Sequence, residues 1–429
     1  MRTYQTQLPQ MPAWDVLVCG AGPSGIAAAV TAAGQGLKTA LLERYGVVGG
    51  NLTLGNVTTI MGAVAPGTIS ARICRLLNAP NGGTAIDPEF AKQELTRLLE
   101  EAGVRLFLQT PAVDCAVEEG VIKGIVAATP SGLAYFPAGR VIDATGDGYV
   151  AAAAGAPVMM GRDGDGLVQP VSLMYHIDGV EPGVTLACRH EEDRTVLPDG
   201  REYLQMCREA ARSGALPPNV TIVRLYPTLR PGEYLVNATQ ENGIDITRPG
   251  DLEKAEYALR RQIELVNEFL RTQVPGFKHI RTRISASTMG VRESRRIRGQ
   301  YVLHDDDLVS GRRFDDVVVH NANFVIDIHN PVGGGQAETE GCPHKAQLYD
   351  IPMRSLQPLK VENLILCGRC ISGTHRAHAS YRVMNIAMAL GQAAGMMAAS
   401  SIAGGIPVAQ LDAKDIQKRL ETAGCVLFA

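Results

Sequence analysis

Val16-Leu-Val-Cys-Gly-Ala-Gly-Pro-Ser-Gly25 decides the fold of this chain. The apolar run from Asp15 to Cys19 reads as a buried strand. It empties into Gly20-x-Gly22-x-x-Gly25 and then into an alanine-rich helix over Ile26–Gly34. Gly20 permits the tight turn, Gly22 lets a pyrophosphate approach the backbone, and Gly25 lets helix and strand pack closely. Free amides at the start of that helix favour an anion. A second apolar run, Thr39–Leu42, ends in Glu43, 18 residues after Gly25, where an acid accepts hydrogen bonds from a ribose. Strand, glycines, helix, strand and acid in this order predict a dinucleotide site.

The chain has 429 residues, 45% hydrophobic and 20% charged, with 46 glycines, which suits a globular protein of two domains or one large one. A net charge of −3 argues against a generally basic, nucleic-acid-binding surface. The N-terminus lacks a signal pattern, and Gly391, Gln392 and Gly395 interrupt the small-residue stretch Ala387–Ala399. The expectation is therefore a cytoplasmic protein with no membrane partner. Nine scattered cysteines form no disulfide framework. Cys367-x-x-Cys370 has redox spacing but reads as buried small residues, and Cys342-Pro-His344 has no second pair to complete a zinc site, so no metal is expected.

Residues 1–13 read as a polar tail, 14–155 and 351–429 as two parts of one nucleotide-binding domain, and 156–350 as an inserted α+β substrate domain. In the first part, Asp87 caps a helix through Ala102. Strands follow at Val104–Leu108, Ala112–Val117, Val121–Ala127 and Leu133–Phe136, then Arg140–Asp147 as a strand ending in a small-residue turn, while Tyr45–Ala79 is a glycine-rich connection. The insertion contains a hairpin of Thr221–Tyr226 and Glu233–Thr239, and a long helix over Leu252–Thr272. A strand at Asn363–Cys367 and a helix from about Ser380 to Ser401 complete the nucleotide domain. The fold class expected is α/β, a Rossmann-like domain interrupted by a second unit.

Three separated stretches now carry a resemblance. Gly20–Gly25 with Glu43, the strand end Asp143-Ala-Thr-Gly-Asp147, and Leu366-Cys-Gly-Arg369 resemble the FAD-contacting segments of glutathione-reductase-like flavoproteins. Gly290-Val-Arg-Glu-Ser-Arg-Arg296, Asp350-Ile-Pro-Met-Arg354, and Cys367–Ser372 continuing through Arg382-Val-Met384 to Gly391–Gly395 resemble the bacterial FAD-dependent oxidoreductases. The resemblance implies FAD with its pyrophosphate at Gly20, Gly22, Pro23, Ser24 and Gly25, and its ribose at Glu43 and Arg44. It places Gly49, Gly50 and Asn51 near the flavin or ribityl chain, and Val113 near the adenine. Ala144, Gly146, Asp147, Gly368 and Arg369 would flank the ribityl and pyrophosphate region, with Arg382 and Val383 ahead of a flavin-facing helix. No His stands in the early glycine-rich connection to bond the flavin covalently, so non-covalent FAD is expected.

The expected reaction is hydride exchange between flavin and a small metabolite, neutral or anionic, with an unidentified electron acceptor. Six arginines lie between 281 and 298, and one of Arg292, Arg295 or Arg296 either reaches substrate or flavin or pairs with Glu293. His329, after an apolar strand Phe324–Ile328, suits acid–base work or a bond within its turn. His375 and His378 precede the flavin-facing helix as acid–base candidates, and Asp305-Asp306-Asp307 reads as a solvated turn. A distantly similar arrangement in fumarate-reductase-like enzymes uses an arginine to move the proton. There is no second GxGxxG unit for NAD(P)H. An NAD(P)H-dependent flavin monooxygenase remains the enzymatic alternative, and an RNA-modifying or RNA-binding flavoprotein the alternative of another class.

Overall fold

The computed structural model describes residues 5–78, 85–189, 193–337 and 345–428. The first unit begins β1 (Trp14–Cys19), α1 (Pro23–Gly34), β2 (Thr39–Leu42), α2 (Ile69–Asn78), α3 (Pro88–Glu101), β3 (Arg105–Phe107), β4 (Ala112–Glu118), β5 (Val121–Thr129), β6 (Gly132–Asp143) and α4 (Tyr149–Ala153). Next come β7 (Val158–Met160), β8 (Tyr175–Asp178), α5 (Tyr203–Ser213), β9 (Arg224–Pro227), β10 (Tyr234–Asn237), α6 (Pro249–Gln273), β11 (Arg281–Ser285) and β12 (Arg295–Ile297). The chain closes with α7 (Asp305–Ser310), β13 (Val317–Ala322), β14 (Tyr349–Pro352), β15 (Leu364–Leu366), α8 (His375–Tyr381), α9 (Met384–Gly404) and α10 (Ala413–Thr422).

A seven-stranded sheet runs β3-β2-β1-β6-β5-β4, with β15 added against β6. Its β3, β2, β1, β6 and β15 are parallel, and β4 and β5 join antiparallel. The strand expected at 133–136 and the one expected to begin at Arg140 are one strand, Gly132–Asp143. Its first half pairs with β5 and its second half with β1, so Pro137 and Gly139 sit where it passes from one partner to the other. The segment Tyr45–Ala79 also holds more structure than expected, because Ile69, Ile73 and Leu77 give α2 a buried stripe one turn apart. Asp87 caps α3 as its sequence predicts, accepting from the amides of Glu89 and Phe90.

A four-stranded antiparallel sheet, β11-β8-β10-β9, forms the second unit. One face buries Tyr175, Ile177, Leu225, Tyr234 and Val236 in a core shared with Leu259, Val266 and Leu270 of α6. The buried residues of this core run from Val171 to Ala286, whereas Ile297 and the core residues after it pack with the first sheet.

Three local expectations are corrected. Phe324–Ile328 is not a strand, because β13 ends at Ala322 and the chain then turns along a cavity wall. The helix expected over 380–401 is two helices, α8 and α9, broken at Arg382-Val383, where Val383 adopts an extended N-cap conformation. Asp305–Asp307 is the first turn of α7, and Asp307 is buried, accepting from the backbone N–H of His304 and from Tyr301 Oη.

α9 is long and apolar enough to cross a membrane, yet 89% of its most apolar window is buried inside the protein. It crosses α1 with almost nothing between the two backbones. A Cβ added at Gly391 would stand 2.0 Å from the Ser24 carbonyl oxygen, and one at Gly395 would stand 2.6 Å from that of Ala28. The opposing atoms are backbone and cannot swing aside. We predict that Gly391→Ala lowers stability by about 3 kcal/mol and weakens flavin retention, read by urea melting and by the visible spectrum after dialysis. A Gly391→Ala protein as stable as the parent would contradict the close crossing.

Candidate active site

A cavity of 1330 Å³ lies between the two units. Its first wall is the carboxyl end of the parallel strands. β1 delivers the chain into Gly20, whose φ of +102° and close approach to the Ala144 carbonyl leave room for no side chain. Gly25 is equally confined, since an added Cβ would meet the Gly20 carbonyl oxygen at 1.8 Å. Gly22 differs: a Cβ there would meet no protein atom within 4 Å, so the groove beside the start of α1 is open.

Glu43 ends β2 at the same rim and is buried. Its Oε2 accepts from the Ala21 amide at 2.7 Å and its Oε1 from the Tyr45 amide at 2.9 Å. Burial pushes its carboxyl upward, and the two amides oppose that shift. The carboxylate thus holds the glycine loop to the end of β2 and keeps lone pairs for a ribose. On the far side of the rim, Arg369 donates from Nε to the Gly146 carbonyl at 2.9 Å and pairs with Asp147, which also accepts from Ser294 Oγ at 2.7 Å.

The opposite wall is the second sheet together with the chain at 324–329. Arg292 donates from Nη1 to the Pro170 carbonyl and to Ser172 Oγ, both at 3.0 Å. Arg382 donates from Nη2 to the Asp327 carboxylate at 2.9 Å. His329 Nε2 lies 3.5 Å from the same carboxylate, and the Gln169 side-chain oxygen holds the His329 amide at 3.1 Å. Burial pushes Arg292 down to about 9, helped by neighbouring Arg382, so it still carries its proton at neutral pH. Burial likewise drives His329 down to about 4, with Arg292 adding to the effect, which leaves the ring neutral at pH 7. Burial alone would raise the Asp327 carboxyl, but His329, Arg382 and Arg292 together hold it well below the usual range.

The cavity lining includes Gly20, Gly22, Pro23, Ser24, Glu43, Arg44, Gly50, Asn51, Ala144, Gly146, Asp147, Arg369, Arg382 and Val383 of the expected cofactor residues, with Arg292, Arg295 and His329 of the catalytic candidates. Gly25, Gly49 and Gly368 stand behind that surface; Gly49 donates its amide to the Ala21 carbonyl. Val113 also lies outside the lining, and its carbonyl accepts from Tyr149 Oη at 2.8 Å, while Thr110, Pro111 and Ala112 form the wall beside it.

His375 and His378 are away from the cavity. His375 Nδ1 bonds Glu293 at 2.8 Å, and His378 is fully buried beside Tyr381, its basicity suppressed by burial and by Arg296. Arg296 is structural too, tied to Glu293 and to the carbonyls of Gly161 and Gly373. Cys367 and Cys370 are both buried and free, with burial pushing the Cys367 thiol up to about 12. Among the described residues no group of three His, Cys, Asp or Glu side chains could hold a metal, and Cys342 and His344 lie outside the described residues.

Sequence reading missed the second sheet's contribution: His176, Arg224, Tyr226, Glu233 and Asn237 all line the cavity. The signal was alternation. Tyr175-His-Ile177 and Arg224-Leu-Tyr226 place polar residues on the face opposite the apolar core.

A parallel sheet with a glycine turn at its carboxyl edge, an acid ending the second strand and a second unit closing the cavity define a dinucleotide-dependent enzyme of the Rossmann-like type. The chain belongs to the FAD dependent oxidoreductase family, whose model matches residues 15–420. Over 132 residues it is 30% identical to the digeranylgeranylglycerophospholipid reductase of Methanocella arvoryzae, a match covering 26% of this chain. It spans 34% of the length of that curated relative. Among solved structures it is similar to a geranylgeranyl bacteriochlorophyll reductase-like protein from Thermoplasma acidophilum, at 15% identity and a TM-score of 0.48 over 96% of this chain and 82% of that one. It is also similar to the anhydrotetracycline hydroxylase OxyS of Streptomyces rimosus, at 12% identity and a TM-score of 0.47 over 96% and 65% of the respective chains.

The cavity's residues fit FAD. The open groove at Gly22 suits a pyrophosphate, and the buried Glu43 at the rim suits a ribose. We predict that Glu43→Ala weakens FAD binding by at least tenfold, because two backbone amides lose their acceptor and the loop its anchor; titrating apoprotein with FAD by fluorescence measures it.

His329 also makes stability depend on pH. Its folded pKa lies below its unfolded value of about 6.5, so the unfolded chain binds a proton that the folded chain refuses. Stability is full above about pH 6.5 and falls as the pH drops toward 4, by up to ~1.4 kcal/mol per pH unit from this group. Urea midpoints of His329→Asn should fall less steeply across that window than those of the parent.

Proposed function

We propose that this FAD-dependent oxidoreductase exchanges a hydride with a small carboxylic acid bound against the arginine wall. The observation that carries the reading is a cluster of guanidinium groups on one wall. Among the described residues, Arg224, Arg292 and Arg382 converge on one cavity wall, where Asp327 pairs with Arg382, and Arg292 is already destabilised by the other two. A cationic, water-poor wall favours an anionic ligand, and a guanidinium matches a carboxylate in shape as well as charge.

FAD, when bound, supplies the hydride acceptor or donor. The protein's own part is division of labour. Arg292, fixed by Pro170 and Ser172, and Arg224 on β9 would grip the carboxylate, while Arg382 is committed to Asp327. His329, neutral at pH 7, would take up a proton released from the substrate, and Asp327 at 3.5 Å would compensate the resulting charge. Arg292, protonated throughout, stabilises negative charge on the substrate carbonyl side. The start of α9 lies at the cavity with Val383 and Met384, so its positive end would favour negative charge on a group held there.

The test is anaerobic. Holoprotein mixed with hydroxy acids, other carboxylic acids, uncharged alcohols and NAD(P)H should lose its yellow absorbance with an acid. Arg292→Met should lower the kcat/KM of that reduction at least 100-fold while leaving FAD content unchanged, with Arg292→Lys between the two. Bleaching by NAD(P)H alone, and only in the presence of an aromatic compound, would instead identify a monooxygenase.

A further inference from the structure

The second sheet carries another polar group at a separate place on the same face. In β11 the pairing to β8 shifts between Thr282 and Ile284, which makes Arg283 the extra residue of a bulge. Regular alternation would have sent Arg283 and Ile284 to opposite faces; with the bulge, both line the cavity. Arg281, two residues earlier, stays outside and pairs with Asp178.

Arg283 is held from behind. Its Nη1 donates to Glu233 Oε2 at 2.7 Å. The other carboxylate oxygen accepts from His176 Nδ1 at 3.0 Å and from Thr228 Oγ1 at 3.2 Å. The side chains of Glu233 and His176 are only 7% and 4% exposed, whereas that of Arg283 is 38% exposed. A buried dyad thus fixes one corner of the guanidinium and leaves its remaining donors toward the cavity.

Charge distinguishes this group from the arginine wall. Glu233 neutralises Arg283, so the group offers no net attraction to a second anion. It offers a donor beside an acceptor, which is what a hydroxyl, itself donor and acceptor, satisfies best. The same face adds the amide of Asn237 and the phenol of Tyr226, with Leu235, Ile284 and Met174 between them for C–H surfaces. Register places Ile284, His176, Leu235 and Tyr226 in one row, and Asn237 and Arg224 in the next. Arg224 and Arg283 stand on the two outer strands, three spacings or about 14 Å apart at the backbone.

We infer that Arg283 and Glu233 form a hydroxyl-recognition subsite, and that the substrate is a polyhydroxylated acid of sugar-acid type. Its carboxylate lies at Arg224 and Arg292 and its hydroxyls lie along β8–β11. This rests on the anionic-substrate reading above and specifies the rest of the molecule. The alternatives it rejects are a dicarboxylate, which would leave its second charge at a neutral group, and a long apolar acid, which would bury Arg283 and Glu233 without partners.

Calorimetric binding to the oxidised holoprotein tests the inference without turnover. The probes are gluconate, galactonate and glucuronate, set against hexanoate, adipate and glucitol. At least one sugar acid should bind tenfold or more tightly than hexanoate and adipate. Arg283→Ala should erase that advantage while leaving hexanoate binding unchanged, and Glu233→Gln should weaken the sugar acid in the same selective way. Retained FAD and an unchanged hexanoate titration serve as the control for folding. Equal or tighter binding of hexanoate or adipate, or an Arg283→Ala protein that keeps its sugar-acid preference, would overturn the subsite and leave the anionic reading standing. Failure of every acid to bind would overturn both.

Discussion

The near-contact of α1 with α9 is the constraint on which the rest depends. Because Gly391 and Gly395 let α9 lie against the backbone of α1, the first residues of α9 reach the same cavity as the glycine loop that begins α1. Two helix N-termini then face one space, and both favour negative charge. A larger residue at the crossing would lift α9 and carry Arg382 and Val383 away from the nucleotide groove. The arginine wall is positioned by the same contact, since Arg382 at the break between α8 and α9 holds Asp327, which in turn lies beside His329.

The second unit completes the site rather than merely covering it. Its sheet uses one face for its own core and turns the other toward the cavity. Its polar face therefore lines the cavity, although in sequence it reads as ordinary alternating strands. The two units are also joined through buried charge. Glu293 accepts from the Gln169 amide and pairs with Arg296 and His375, and the Gln169 side chain then holds the His329 backbone. Such a network is costly to leave half satisfied, which accounts for its many partners.

What was legible in the sequence was what local rules fix. Gly20, Gly22, Gly25 and Glu43 could be read because strand, turn, helix and acid follow one another at set spacing. Asp87 could be read because a cap is a matter of neighbouring residues. Long-range choices were not legible. Nothing near His375 or His378 in sequence says that Glu293 and the core will claim that stretch, and the histidines consequently lie outside the cavity. Nor does the run of arginines at 281–298 reveal that Arg296 is a structural strut while Arg292 lines the cavity. The bulge at Arg283 is equally silent, since it exists only against the register of β8. The stripe Ile69, Ile73, Leu77 is different: it was present in the sequence and was masked by the glycines before it.

A crystal structure of the holoprotein soaked with an unreactive carboxylate tests both halves of the site at once. The map should show FAD with its pyrophosphate beside Gly22, its adenosine at Glu43 and its ring near the start of α9, and the carboxylate against Arg224 and Arg292. A flavin elsewhere, or an acid bound away from those arginines, would overturn that arrangement.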